Sequence, residues 1–233
     1  MAVSHEVLEP QAPIIITPVP MPVVVVAPQL CAPYAVALTV TKKVMSLHGN
    51  DFTITDPNDA VVLQVKGKGM MRHHRCVLLG ANEQPILSFR GTMLTMHNKW
   101  EVFRGDSKSP SDLLFTARCP KLMQLLKTEM DIFLAGNNTD QQFCDFRLKG
   151  NYFDRNCAIY LGDSDIMIAQ ITRKYTAANV LLGRDTFNVT VFPNVDHVFV
   201  AALVVLLDEV HSKHRRHRQH FVAGLVTKGL LFL

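Results

Sequence analysis

The longest uninterrupted apolar run in the chain covers residues 198–207, between Asp196-His197 and Asp208-Glu209. A transmembrane helix needs about twenty apolar residues, so this run is too short to span a bilayer. A helix on a protein surface has a polar face that recurs every three to four residues, and the run has no such face. It therefore predicts a helix that protein surrounds on all sides, with Asp196 as its N-cap.

The rest of the chain, from residue 35 onward, has the pattern of short strands joined by turns. Runs such as "AVVLQVKGKG", "KWEVFRGDS" and "TFNVTVFP" are rich in β-branched and aromatic residues, and Gly, Asp, Asn and Pro separate them. This pattern is typical of an antiparallel barrel or sandwich. Residues 77–91 and 159–173 resemble each other, since each places a glycine turn between two strands. Either a duplicated strand unit or the general likeness of hairpins explains the pair.

A closed barrel accounts for both the strands and the helix. A barrel of about twelve strands is too wide for its own side chains to fill, so an apolar helix in the lumen completes the core. We therefore predict an all-β fold with one central helix, a closed antiparallel barrel around a C-terminal helix at about residues 195–210. The residues expected to form the core of this helix are Val198, Phe199, Ala202, Leu203, Val205 and Leu206.

Composition and charge argue against several classes of function. The formal net charge is +4, far below that of a typical nucleic-acid-binding protein. The five cysteines form no CxxC pair and are expected to be reduced thiols in a reducing, cytoplasmic compartment. The sequence lacks the GxSxG, HExxH and phosphate-binding glycine motifs. We therefore predict a protein that is not an enzyme and holds no metal or cofactor.

Two terminal segments differ in composition from the strand-rich part. Residues 1–30 are rich in proline, which favours a flexible leader or an extended one that lies along the barrel as an edge strand. Residues 212–233 combine the basic stretch "SKHRRHRQH" with a short apolar one, and we expect this tail to be disordered. Neither segment has the pattern of a transmembrane helix. The predicted barrel domain covers residues 31–211.

Several ordered blocks of the sequence are similar to a known family. The blocks "KWEVFRGDS", "DIFLAGN", "CDFRLKGNYFDRNCAIYLGDSDIMIAQITRKY" and "LGRDTFNVTVFPNVDHVFVAALVVLLDEV" resemble the plant LURP-one-related family. That family is itself similar to the tubby C-terminal domain and the phospholipid scramblases. The resemblance implies a tubby-like barrel of about twelve strands around a hydrophobic C-terminal helix. It also implies a plant protein of a family linked to defence against pathogens.

A basic stretch, "KGKGMMRHHRC" at residues 66–76, is the candidate binding site. Tubby-like domains bind phosphoinositide headgroups through basic side chains on the barrel surface. The resemblance implies the same role for Lys66, Lys68, Arg72 and Arg75. Clustered Lys and Arg near an anionic membrane gain about 1 kcal/mol each. The alternative is a solvated turn between two strands, since charged runs are usually solvated.

These features lead to three hypotheses of function. The first is a non-enzymatic tubby-like interaction module that binds anionic membrane lipid, above all phosphoinositides, and an unidentified protein partner. Such a module would be cytoplasmic, peripheral at the plasma membrane and active in plant defence or stress. The second is a scramblase-like protein that moves lipid or responds to calcium, although few carboxylates precede the helix. The third is a membrane-tethered transcription regulator, which the modest net charge disfavours.

Overall fold

The structure of the protein is a computed structural model, and it describes Val19 and residues 21–43, 51–68, 75–92, 98–119, 128–151, 156–174 and 186–210. The predicted tail at residues 212–233 lies outside these ranges, and so do residues 1–18 and 20 of the predicted leader.

The described ranges contain twelve β-strands, in which successive side chains point to opposite faces. In β2, for example, buried Phe52 and Ile54 alternate with partly exposed Thr53 and Thr55. The strands are β1 (Val36–Lys42), β2 (Phe52–Thr55), β3 (Val61–Lys68), β4 (Arg75–Gly80), β5 (Pro85–Thr92), β6 (Asn98–Arg104), β7 (Leu113–Cys119), β8 (Thr128–Leu134), β9 (Phe146–Asn151), β10 (Asn156–Leu161), β11 (Met167–Lys174) and β12 (Thr186–Val191).

The sheet closes on itself. Each strand pairs antiparallel with its neighbours in sequence, and β1 also pairs with β12. The closing pair aligns Val36 with Val191 and Thr41 with Thr186. Closure leaves no edge among the described strands for another chain to pair with. The predicted fold, a closed antiparallel barrel of about twelve strands, is confirmed.

The barrel encloses a helix, α1, at residues 197–210. Residues 198–207 each expose 1% or less of their surface, so protein surrounds the apolar run on all sides, as predicted. The Phe199 ring packs edge-on against Phe115 of β7, with 5.2 Å between the ring centroids. Its centroid also lies 4.9 Å from that of Phe146 of β9. Burial of each such side chain contributes about 1.5–3 kcal/mol. No described helix combines the length and apolarity that crossing a membrane requires.

The two similar stretches form hairpins that are six strands apart in the ring, β4–β5 and β10–β11. Each hairpin has a register shift beside its turn. The second turn is one residue longer, since the Gly80 N–H donates to the Gln84 carbonyl whereas the Leu161 N–H donates to the Ile166 carbonyl. The two glycines are therefore not equivalent: Gly80 ends a strand, and Gly162 lies in a turn with a φ of +50°.

The two ends of the barrel differ in what the structure describes. At the end where α1 begins, all five strand connections are described, at residues 56–60, 81–84, 105–112, 135–145 and 162–166. We call this the helix-start end and the opposite one the helix-finish end. The connections at the helix-finish end fall largely outside the described ranges, including residues 69–74 of the predicted basic hairpin.

Part of the proline-rich leader packs across the helix-start end. Val19, Val23 and Val26 are buried and belong to the barrel core. Val23 also forms a parallel bridge with Val195, just before α1. Residues 21–30 of the predicted leader lie against the barrel, because these valines contribute to its core. The limits of the leader, barrel and tail stay a prediction.

Candidate functional site

Asp196 stands at the junction of the central helix and the leader. Its Oδ1 atom accepts the backbone N–H groups of Val198 and Phe199, both at 3.1 Å, and so caps α1 as predicted. Its Oδ2 atom accepts the backbone N–H groups of residues 25–27, at 3.4, 2.7 and 3.2 Å. Five hydrogen bonds therefore offset the burial of this charge.

Two side chains fix the leader over the helix-start end. The His197 ring atom Nδ1 lies 2.7 Å from the Leu30 carbonyl oxygen. The Arg104 guanidinium, at the end of β6, donates to the Val26 carbonyl at 2.8 Å. These contacts attach the leader segment, which we define as residues 21–35, to this end of the barrel. The sequence left open whether the leader is flexible or lies along the barrel, because these partners lie 78 or more residues away along the chain.

The connection at residues 105–112 folds back over the outer face of β4 and β5. The Arg75 guanidinium donates to the Asp106 carbonyl at 2.9 Å and to the Asp106 carboxylate at 2.5 Å. The Ser88 hydroxyl donates to the Ser107 carbonyl at 2.8 Å. Val77 and Ser88, neighbours on β4 and β5, are 0% and 1% exposed. The connection thus covers part of the barrel wall beside the predicted basic site.

The predicted lipid-binding residues are brought together only in part. Lys66 and Lys68 lie on β3 and Arg75 begins β4, whereas Arg72 falls outside the described residues. The Lys66 Nζ atom pairs with the Glu83 carboxylate at 2.9 Å. The hydrogen bond and charge of Lys66 lower the pKa of Glu83. Because Arg75 also has a carboxylate partner, both of these basic side chains are engaged in surface ion pairs.

A row of basic residues crosses three neighbouring strands of the wall. The strand register places Lys68 opposite Arg75, and Arg75 opposite Arg90 of β5. Arg90 in turn pairs with Glu101 of β6 at 2.5 Å. Sequence reasoning missed Arg90, because "SFRG" is not a basic cluster and only the register brings this residue beside Arg75. We call Lys66, Lys68, Arg75 and Arg90 the basic wall.

A second buried carboxylate, Asp208, belongs to α1 itself and lies at the helix-finish end. Asp208 is fully buried and pairs with the Nζ atom of Lys42, the last residue of β1, at 2.5 Å. Burial raises the pKa of the nearby Cys76 thiol well above its ordinary value, and the carboxylates of Glu209 and Asp51 raise it further. This end of the lumen therefore combines dry surroundings with acidic groups, which disfavours a thiolate.

The described residues offer little for metal or thiol chemistry. Among them, no group of three or more His, Cys, Asp or Glu side chains is placed to hold a metal ion. Burial raises the pKa of the Cys31, Cys144 and Cys157 thiols. A thiol with a raised pKa is a poor nucleophile at neutral pH. Among the predicted lipid-binding residues, the described ones are Lys66, Lys68 and Arg75.

Comparison with known proteins agrees with this architecture. The LURP-one-related protein 15 of Arabidopsis thaliana is 45% identical over 192 residues, which are 82% of this chain and 88% of that protein. Protein LURP1 of the same plant is 37% identical over 207 residues, 89% of this chain and 94% of that protein. An Arabidopsis thaliana protein solved by X-ray crystallography has 37% identity and a TM-score of 0.63, and the match covers 81% of this chain and 98% of that one.

The family match has the extent of the barrel itself. A model described as LURP-one-related matches residues 36–208, from the first residue of β1 to Asp208, which directly follows the apolar run in α1. The matched region therefore includes both the strands that close the barrel and the helix that fills it. By this match and by the identity to its Arabidopsis members, the chain belongs to the LURP-one-related family.

Proposed function

We propose that the chain is a non-catalytic interaction module that binds phosphoinositide headgroups at the cytoplasmic face of the plasma membrane. The observation that carries the proposal is the basic wall, in which Lys68, Arg75 and Arg90 are cross-strand neighbours. Such neighbours lie about 5 Å apart, so several basic groups can face one headgroup that carries several phosphates. Arginine suits this role because its planar fork binds two phosphate oxygens at once.

The carboxylates on the wall are compatible with lipid binding. The side chains of Lys66 and Glu83 are 47% and 69% exposed. An exposed ion pair contributes only about 0–1 kcal/mol, whereas each Lys or Arg near an anionic membrane gains about 1 kcal/mol. A lipid phosphate can therefore replace Glu83 as the partner of Lys66 at small cost. Defence or stress response is the setting that the family resemblance implies for such a membrane contact.

Flotation with liposomes tests the proposal. The full chain is mixed with phosphatidylcholine vesicles that contain or lack a phosphoinositide, in the presence and absence of calcium. We expect flotation only with phosphoinositide vesicles, and to the same extent in the presence and absence of calcium. It should weaken as salt rises, because exposed charges are screened over about 8 Å at physiological ionic strength. Calcium-gated exchange of labelled lipid between the leaflets would instead favour the scramblase-like alternative.

A charge-matched pair of variants locates the binding surface. The wall variant replaces four basic residues with Gln. Three belong to the basic wall, Lys66, Lys68 and Arg75, and the fourth is Arg72 of the predicted basic stretch. The control variant replaces four basic residues outside the wall with Gln: Lys43, Arg118, Lys149 and Lys174. The wall variant should lose up to about 4 kcal/mol of binding, and adding Arg90→Gln should deepen the loss. Equal losses in both variants would mean that binding follows net charge alone. Unchanged flotation of the wall variant would remove the wall as the lipid site.

A further inference from the structure

Exposed apolar side chains gather at the helix-start end. Among the described residues, the exposed large apolar side chains are Met21, Val24, Tyr34, Val61 and Phe143. Three belong to the leader segment, one opens β3, and one lies in the connection between β8 and β9. All of them therefore lie at the same end of the barrel. The leader segment supplies three of the five, and exposed apolar groups that form a continuous patch mark an interaction site.

The same end is acidic. Its four connections other than residues 105–112 contain seven Asp and Glu and no Lys or Arg, although the whole chain has a net charge of +4. The leader segment at residues 21–35 contains no charged residue. Asp59, Asp140 and Asp165 form no ion pair with another described residue. We call these seven carboxylates the acidic rim. It shares this end of the barrel with the exposed apolar residues and is only partly neutralised.

We propose that the helix-start end binds a cationic amphipathic segment of a partner protein. Charge complementarity selects this occupant, because its basic side chains would face the rim while its apolar side chains cover Met21 and Tyr34. The rim would repel an anionic membrane surface, so a lipid bilayer is not the expected occupant of this end. The inference does not depend on the proposed lipid binding.

The leader segment presents its apolar anchors on a fixed backbone. Asp196 holds the N–H groups of residues 25–27, and His197 holds the Leu30 carbonyl. A surface that is ordered before binding loses less conformational entropy on association. Met21 and Tyr34 are 74% and 67% exposed, and Met and Tyr are enriched in the cores of interfaces. These two side chains are the expected anchors.

Binding of a synthetic peptide to the full chain tests the inference. The probe is a fluorescein-labelled helix of about fourteen leucine and lysine residues, which covers about 20 Å. Its counterpart has glutamate in place of lysine. Fluorescence anisotropy should show the lysine peptide binding at least about tenfold more tightly than the glutamate peptide. The difference should shrink as salt rises.

Two variants test the rim and the anchors separately. The rim variant carries Asp59→Asn and Asp140→Asn, and it avoids backbone strain because Asn readily adopts the positive φ of these residues, 63° and 49°. It should bind the lysine peptide about fivefold more weakly. The anchor variant carries Met21→Ser and Tyr34→Ser and should bind it about tenfold more weakly.

A control and an alternative occupant complete the test. Adding Asn156→Asp and Asn188→Asp to the rim variant restores the net charge of the unaltered chain. Both residues are exposed on strands away from the acidic connections, so binding of the lysine peptide should not recover. Restored binding, or no binding of the lysine peptide to the unaltered chain, overturns the proposal. The chain's own basic tail is the other candidate occupant. Peptide binding that appears only after Arg215, Arg216 and Arg218 are replaced with Gln would assign the site to that tail instead.

Discussion

The two ends of α1 each bury a carboxylate, and each end stabilises it in a different way. At the helix-start end, Asp196 accepts five backbone N–H groups, and the positive end of the helix dipole adds to their effect. At the helix-finish end, Asp208 lies where the dipole is negative and beside Glu209, which is also buried. Lys42 supplies a cation there, 2.5 Å from Asp208. Backbone N–H donors stabilise the carboxylate where the helix dipole favours negative charge, and a lysine stabilises it where the dipole disfavours negative charge.

The difference determines which part of the molecule each end holds. Asp196 joins α1 to the leader, so a change there should loosen the segment that carries the exposed apolar anchors. Lys42 joins α1 to β1, the strand that closes the barrel against β12. A change there should loosen the barrel as a whole. Damage at the helix-finish end is therefore expected to lower stability more than damage at the helix-start end.

The largest effect is expected within the apolar run of α1, where neither backbone donors nor a cationic side chain can stabilise a carboxylate. Val205→Asp places a carboxylate at a residue that is 0% exposed and surrounded by the apolar core. An unpaired buried charge costs several kcal/mol, comparable with a total stability of about 5–15 kcal/mol. The variant should fail to fold, whereas the control Val205→Ala should lose only about 2 kcal/mol. A soluble Val205→Asp protein that melts cooperatively would show that α1 is not enclosed.

The next effect in size concerns the helix-finish end. Lys42→Met keeps the apolar stem of the side chain and removes the ammonium group beside Asp208. Removing one partner of a buried ion pair costs about 3–5 kcal/mol, which urea unfolding would measure. A second change, Asp208→Asn, should recover most of this loss because it removes the other charge as well. A loss below about 1 kcal/mol in Lys42→Met would mean that this lysine is not what stabilises Asp208.

A smaller loss is expected at the helix-start end. Asp196→Ala should lower stability by about 2–3 kcal/mol, since it removes a helix cap and the bonds to the leader. Asp196→Asn should lose about half as much, because an amide has a single acceptor oxygen and can hold the helix or the leader but not both. Hydrogen exchange at residues 25–27 reports on the leader directly. Unchanged protection there in Asp196→Ala would show that other contacts hold it.

The sequence predicts the barrel and its helix because both depend on local patterns. An apolar run of ten residues, 198–207, is compatible with few environments, and enclosure is the one that short strands provide. The helix cap is local too, since Asp196 and the two backbone N–H donors that it accepts on α1 are two and three residues apart. These features need no knowledge of how distant segments meet.

The surfaces depend instead on contacts between distant segments. Oδ2 of Asp196 accepts the Val26 N–H across 170 residues, so the local pattern of the proline-rich leader does not decide between a flexible segment and one that packs on the barrel. Arg75 meets Asp106 across 31 residues, and only the strand register places Arg90 beside Arg75. Local patterns contain no information on such pairings. The basic hairpin was therefore visible in the sequence, but its carboxylate partners and the acidic helix-start end were not.

The smallest expected effect measures how dry the helix-finish end is. Cys157 lies near the start of β10, and burial raises the pKa of its thiol from 9.0 to about 12. The thiol then ionises in the unfolded chain at a pH where it stays protonated in the folded chain. Its contribution to stability is complete below pH 9 and is lost progressively as the pH rises toward 12. At about pH 10 the loss from this group is about 1.4 kcal/mol.

Urea unfolding at about pH 8 and about pH 10 checks this prediction, with Cys157→Ala as the test and Cys31→Ala as the matched control. Cys31 lies at the helix-start end and is partly exposed, and its pKa is raised by burial and by Asp196. Removing Cys157 should reduce the alkaline loss by about 1.4 kcal/mol, because the variant has no thiol to ionise there. Removing Cys31 should reduce it less. If Cys157→Ala loses as much stability at alkaline pH as the unaltered chain, then water reaches this thiol, and the contrast between the two ends would rest on Lys42 alone.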